Sequence, residues 1–140
     1  MITYVDTSTL LKLVVDEEGS DRAGVIWSSA ESVAAVSLIE VEARSALAAT
    51  TRAGRITPDQ HTEAKTELGT LMNDLYVVEV TRTVLADAAE LAEVDGLRGY
   101  DAVHLAAALM IGAAVLTSAD DALCEAAERH WLHVANPLVH

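Results

Sequence analysis

The chain has 140 residues, enough to bury one sizeable core and too few for two ordinary ones, so a single domain over residues 1–140 is expected. Hydrophobic residues make up 51% of it but aromatic ones only 4%, with no Phe, so the core must be built from Ala, Val, Leu and Ile. A net charge of −13, with lysine only at positions 12 and 65, argues against tight, nonspecific nucleic-acid binding, and the lone Cys124 excludes an intrachain disulfide.

Ile2–Val5 is a short apolar run that stops at Asp6 and predicts a buried strand. Thr7-Ser8-Thr9 and the apolar residues after them predict a helix capped by a hydroxyl residue. The opening residues, with Lys12 and Asp16 close behind, lack the basic-then-apolar pattern of a signal peptide, which with the single cysteine fits a reducing cytoplasm. A second helix is expected over 20–30 and a strand over 33–36. Ser37 is then placed to cap a helix running to about Thr51.

Gly54 ends that helix, and Thr57-Pro58-Asp59 starts another, with Pro near its first position, that runs to about Asn73. Residues 75–80 alternate and branch like a strand. Helices are expected over 83–94 and 101–111, separated by a turn at Asp95-Gly96. A strand over 113–117, a helix over 120–129 and a last strand over 131–134 complete the chain. Ala102 to Ala119 contains no Lys, Arg, Asp or Glu, yet His104, Gly112, Thr117 and Ser118 interrupt it. It reads as a buried helix running into a buried strand rather than a membrane span. Short apolar strands alternating with helices imply an α/β domain with a mainly parallel sheet of about five strands.

In such sheets the ligand crevice lies at the carboxyl ends of the strands, which narrows the 22 acidic residues to a few. Asp6 and Asp120 directly follow predicted strands, and Asp101 opens a predicted helix. Ser118 with Asp121 resembles a capping box, which would leave Asp120 free to face the rim. Glu40 and Glu42 lie about 160° apart around one helix, so spacing alone does not choose between them. His104, one turn after Asp101, reads as a packed core histidine, and Arg98 as a surface arginine that could contact phosphate. Carboxylates gathered in one crevice repel each other unless a cation joins them, and oxygen donors of this kind suit Mg²⁺ or Mn²⁺. Metal-assisted phosphodiester hydrolysis is the natural chemistry of such a set. A P-loop, a dinucleotide-type glycine loop and a Gly-x-Ser-x-Gly elbow are all missing from the sequence, and Cys124 has no evident activating base.

Taken together, four segments resemble the PIN-domain family, and within it the VapC toxins of bacterial toxin–antitoxin pairs. They are Tyr4-Val-Asp6-Thr-Ser8, Glu42-Ala-Arg-Ser-Ala-Leu47, Leu97-Arg-Gly-Tyr-Asp101-Ala-Val-His-Leu-Ala106 and Ser118-Ala-Asp120-Asp-Ala-Leu123. The last is similar to a Thr-x-Asp-x-x-Leu pattern with Ser in place of Thr. The resemblance selects Glu42 over Glu40 and Asp120 over Asp121. It implies a PIN-like three-layer sandwich, Mg²⁺ or Mn²⁺ dependence and endonucleolytic cleavage of RNA such as tRNA or rRNA. The site it implies is Asp6, Glu42, Asp101 and Asp120 on the metal, with Ser8 and Ser118 orienting carboxylates or water. A homodimer and a small antitoxin are implied as partners, and a basic antitoxin arm would suit the acidic charge.

Two other classes share some of these features. Asp6-Thr-Ser-Thr is similar to the Asp-x-Asp-x-Thr start of haloacid-dehalogenase-like phosphatases, but Ser8 stands at the second Asp. A receiver domain needs a late lysine, and Lys65 is the last one. A PIN-like scaffold that acts only by binding a partner is the non-enzymatic alternative.

Overall fold

Runs of three to five residues rich in Val and Ala are too short for helices and, lacking charge, form parallel strands, the central ones buried and the edge strands partly exposed. The computed structural model describes residues 1–139. Across these residues the chain runs β1 (Ile2–Val5), α1 (Thr7–Lys12), α2 (Ser20–Ser29), β2 (Ser32–Val36), α3 (Ile39–Arg52), α4 (Pro58–Asp74) and β3 (Leu75–Val78). It continues through α5 (Arg82–Asp95), α6 (Gly99–Met110), β4 (Val115–Thr117), α7 (Asp121–Arg129) and β5 (His133–Ala135). The strands form one sheet in the order β3-β2-β1-β4-β5, every pair parallel. The expected α/β class and strand number are therefore found.

Strand alternation sends successive side chains to opposite sheet faces, and this separates two cores. Tyr4 and Val36 pack with Val84, Leu105, Leu116 and Leu123 against α5, α6 and α7. Val5, Val33 and Ala35 pack with Leu10, Ile39, Leu47 and Leu68 against α1, α3 and α4. The result is helix, sheet, helix. In α6, Ala102 through Ala108 are all buried, as the uncharged run from 102 to 119 predicted. No helix among the described residues is long and apolar enough to cross a membrane.

Helix caps differ from expectation at three places. The cap of α1 is Asp6 itself, whose carboxylate accepts the Thr9 N–H at 3.1 Å, not one of the hydroxyl residues after it. Ser37 does not cap α3, which starts after Leu38 without a side-chain cap. Asp120, not Asp121, caps α7 by accepting the Leu123 N–H at 3.0 Å. Elsewhere local chemistry acts as read. Thr57 and Gln60 form a capping box ahead of Pro58, and Gly96 closes α5 at φ +66°, a backbone region that side chains with a Cβ avoid.

The strand order positions the site. From β1 the chain moves outward through β2 to β3, then returns to place β4 on the other side of β1. At this reversal the two loops leaving β1 and β4 diverge to opposite faces, opening a crevice at the carboxyl end of the sheet. Asp6 ends the first strand and Ser118 follows the second.

Candidate active site

Asp6 is the centre of the crevice. It is buried, and each carboxylate oxygen has its own hydroxyl donor. Ser8 Oγ donates to Oδ1 at 2.7 Å and Ser118 Oγ donates to Oδ2 at 2.6 Å, with the Thr9 N–H adding to Oδ1. The hydroxyls are themselves fixed, because the Ala119 N–H donates to Ser8 Oγ and the Asp120 N–H to Ser118 Oγ, both at 2.9 Å. Beneath them Thr9 and Thr117 hydroxyls pair at 3.1 Å and tie α1 to the end of β4. Burial raises the Asp6 carboxyl above its ordinary value, and the nearby His104 ring and the three hydrogen bonds offset this only in part.

Asp120 lies one residue beyond Ala119 on the same loop. Its Oδ1 caps α7, while its Oδ2 accepts from Arg98 Nη2 at 3.2 Å. Arg98 also reaches Asp101 Oδ2, from Nε and Nη2 at 3.4 Å each. Asp101 is the third residue of α6 rather than its first, and its side chain is 14% exposed. Burial raises its carboxyl, the Asp120 charge raises it further, and Arg98 opposes both. The guanidinium is 79% exposed, so this clasp on two carboxylates sits at the solvent edge of the crevice.

Glu42 approaches from the first turn of α3. Its Oε1 meets His104 Nε2 at 2.8 Å, and His104 Nδ1 meets the Tyr4 hydroxyl at 2.7 Å. The Val36 N–H donates to the same hydroxyl at 3.1 Å. The Tyr4 and His104 rings meet edge to face, and burial holds the Tyr4 phenol well above its ordinary value. Thr7 Oγ1 lies 3.5 Å from His104 Nε2.

The structure thus links Asp6, Ser8, Ser118, Asp120, Arg98 and Asp101 through one continuous set of hydrogen bonds, while Glu42 belongs to a second set with His104 and Tyr4. Glu40 is turned away: it is exposed and lines a separate surface cavity with Val41 and Arg44. Asp121 is exposed too and faces a cavity beside β5 with Arg22 and Glu125. Cys124 is buried and donates to the Ser118 carbonyl at 3.3 Å. Burial, with the Asp6 charge adding to it, pushes its thiol up to about 12, so it is no nucleophile at neutral pH.

Among the described residues no three His, Cys, Asp or Glu side chains form a ready metal cage. The donor chemistry nevertheless suits a hard divalent cation: four carboxylates, two with raised pKa values, and a positive group already drawn between Asp101 and Asp120. Tyr4, Thr7 and the role of His104 were not foreseen. Two signals point to them. Tyr4 precedes Asp6 by two residues and shares its side of the strand, and His104 follows Asp101 by three on one helix face.

A family model described as PIN domain matches residues 3–129. The chain is 36% identical over 111 residues to Ribonuclease VapC45 of Mycobacterium tuberculosis (strain CDC 1551 / Oshkosh), covering 79% of this chain and 77% of the relative. Ribonuclease VapC49 of strain ATCC 25618 / H37Rv matches to the same extent. Among solved structures, PAE2754 from Pyrobaculum aerophilum superposes with a TM-score of 0.73 at 24% identity, covering 96% of this chain and 92% of that one. The Mycobacterium tuberculosis toxin VapC20, described as cleaving the sarcin–ricin loop, gives 0.69 at 21% identity and 89% and 94% coverage. VapBC2 from Rickettsia felis, bound to a promoter DNA fragment, gives 0.67 at 13% identity and 97% and 98% coverage.

Proposed function

Because this chain belongs to the PIN-domain family as a VapC-type member, we propose that it is a toxin endoribonuclease, dependent on Mg²⁺ or Mn²⁺, with Asp6, Glu42, Asp101 and Asp120 as its catalytic carboxylates. The observation that carries this reading is Asp6, buried at the reversal of strand order with both oxygens taken by Ser8 and Ser118, in one network with Asp120 and Asp101. The ribonuclease names of the relatives at 36% identity support the reaction class.

The four carboxylates would hold the cation, which when bound neutralises them and stabilises negative charge gathering on a phosphodiester. The protein's own groups do the rest. Ser8 and Ser118 fix the Asp6 oxygens and keep their lone pairs aimed into the crevice. Burial raises the carboxyls of Asp6 and Asp101 and so favours their protonated forms; a cation would compete with those protons, and its binding would strengthen as pH rises. Arg98, freed from Asp101 and Asp120, is placed to contact the RNA phosphate. Water adds to phosphorus in line and gives up one proton to solvent, the bond from phosphorus to the 3′-oxygen breaks, and that oxygen takes up a proton from solvent in its place. The products carry 5′-phosphate and 3′-hydroxyl ends.

Residues 1–140 act as one PIN-like domain, paired as a homodimer in a reducing cytoplasm, where the unbridged Cys124 is stable. Its charge of −13 suits a small antitoxin with a basic arm. Structured RNA, tRNA or rRNA, is the substrate class. The chain, freed of any antitoxin, is incubated with mixed cellular RNA and Mg²⁺ or Mn²⁺, beside Asp6→Ala. Discrete fragments that need both the metal and Asp6 are expected. Cleavage undiminished in Asp6→Ala would remove the site assignment, and no cleavage by folded wild-type protein would move function toward binding alone.

A further inference from the structure

We propose that His104 is the positioning residue for Glu42 and that Tyr4 sets the tautomer of His104, so that Tyr4, His104 and Glu42 form a proton-ordered strut behind the site. This rests on the assignment of Glu42 to the site given above.

The local sequence makes a polar ring on α6 conspicuous. Ala102, Val103 and Leu105 through Ala108 are buried apolar residues, and a leucine at 104 would continue that pattern. His104 is nevertheless 2% exposed, and a buried imidazole is tolerated only when its nitrogens are bonded. Both are. Nδ1 meets Tyr4 at 2.7 Å and Nε2 meets Glu42 at 2.8 Å.

The direction of each bond follows from what the ends can do. The Val36 N–H can only donate, so the Tyr4 oxygen accepts it and the hydroxyl's own proton goes to Nδ1. A neutral ring that accepts at Nδ1 carries its proton on Nε2, which is therefore donated to Glu42 Oε1. One backbone N–H of β2 thereby orders protons through β1 and α6 to a carboxylate on α3.

Glu42 needs such a hold. Its side chain has three rotatable bonds and is 20% exposed, so without a donor its carboxylate would range into solvent. The strut pins one oxygen and leaves the other free. Asp6 is served in the same way by Ser8 and Ser118, so each of the two inner carboxylates has its own dedicated donors.

The test uses the complete chain without partner. Mn²⁺ binding is followed by electron paramagnetic resonance at one pH for wild type, Glu42→Gln, His104→Gln, His104→Leu, Tyr4→Phe and the double variant Glu42→Gln/His104→Leu. Thermal melting without metal verifies that each is folded. His104→Leu is expected to weaken Mn²⁺ binding about 10–100-fold. His104→Gln, whose amide N–H reaches toward the same carboxylate, keeps most of the affinity, and Tyr4→Phe falls between. In the Glu42→Gln background, His104→Leu should change nothing more. Equal losses for Leu and Gln, or a full additive loss in the double variant, would overturn the proposal. A loss in Glu42→Gln with none in His104→Leu would overturn it alone. Unchanged binding in Glu42→Gln would overturn the site assignment and this proposal with it. The wild-type ring gives an independent reading: ¹⁵N spectra should show the proton on Nε2, and a proton on Nδ1 of the neutral ring sinks the idea even if every variant misfolds.

Discussion

The two halves of the crevice are built differently. The inner half, Asp6 and Glu42, is held by donors that belong to the fold: the half-buried Ser8 and the buried Ser118 and His104. The outer half, Asp101 and Asp120, is held to its neighbours' charge by one arginine that is 79% exposed. Buried, fully bonded groups have few alternatives, whereas exposed ion pairs are weak and readily exchanged. The inner carboxylates are therefore preset by the fold, and the outer pair, whose charge is met by the exposed Arg98, is the part free to exchange partners.

The largest effect expected from this contrast is at Asp6. Asp6→Ala should lower RNA cleavage by more than the roughly 100-fold upper end seen for residues acting behind a metal ligand, measured as single-turnover rates in Mn²⁺. It also removes the cap of α1. Asp6→Asn keeps an acceptor for the Thr9 N–H and separates lost charge from lost structure. A small loss in Asp6→Ala would mean that the buried half is scaffold only.

Ser118→Ala should follow, with Mn²⁺ affinity falling by about 10–100-fold, because Asp6 Oδ2 and the Asp120 N–H both lose their partner. Calorimetric titration measures it. An unchanged affinity would show that Asp6 is held well enough by Ser8 and Thr9.

A third expectation concerns pH in the metal-free protein. The Asp6 carboxyl is raised by burial above its ordinary 3.8. A raised acid binds its proton more tightly in the folded chain, so its contribution to stability is present below the unfolded value and is lost as pH rises through the folded one. Asp6→Asn, which has no such proton, should therefore gain on wild type as pH is raised from about 4 toward about 7. Urea denaturation at several pH values reads the difference, and saturating Mn²⁺ should reverse it. A constant difference across that range would mean that Asp6 is not raised.

The smallest effect belongs to the outer half. Arg98→Gln removes the positive group that a cation must displace, so Mn²⁺ binding should tighten, by about fivefold or less given how exposed the pair is. RNA cleavage should fall in the same variant if the freed guanidinium contacts phosphate. Weaker metal binding in Arg98→Gln would reverse the picture of an exchanging outer pair.

The same contrast explains what could be read from the sequence. Strand–helix alternation is written in local periodicity, so the α/β class and each element were legible from residues such as Ile2–Val5 and the uncharged run from Ala102. The positions of Asp6 and Asp120 beyond the carboxyl ends of β1 and β4 were legible because each follows an apolar run that forms a parallel strand. Caps were less so. Ser118 next to Asp121 satisfies the local pattern of a capping box, but the Ser118 hydroxyl goes instead to Asp6, 112 positions away in the chain. His104 was read as core because burial is periodic and visible, while its bond to Glu42 depends on how α6 and α3 meet across the sheet. Long-range pairing of that kind leaves no local trace.

The strand order carries a consequence for synthesis. Asp6 lies in the first loop of the chain and Ser118 and Asp120 in a loop formed after nearly everything else, yet β4 docks directly on β1. As the chain emerges residue by residue, β1 can pair with β2 long before its other edge is filled, and until then Asp6 lacks Ser118 and the crevice has one wall. A growing chain of this topology cannot assemble its candidate site beside the ribosome that is making it until β4 itself has left the exit tunnel. The delay is written into connectivity alone.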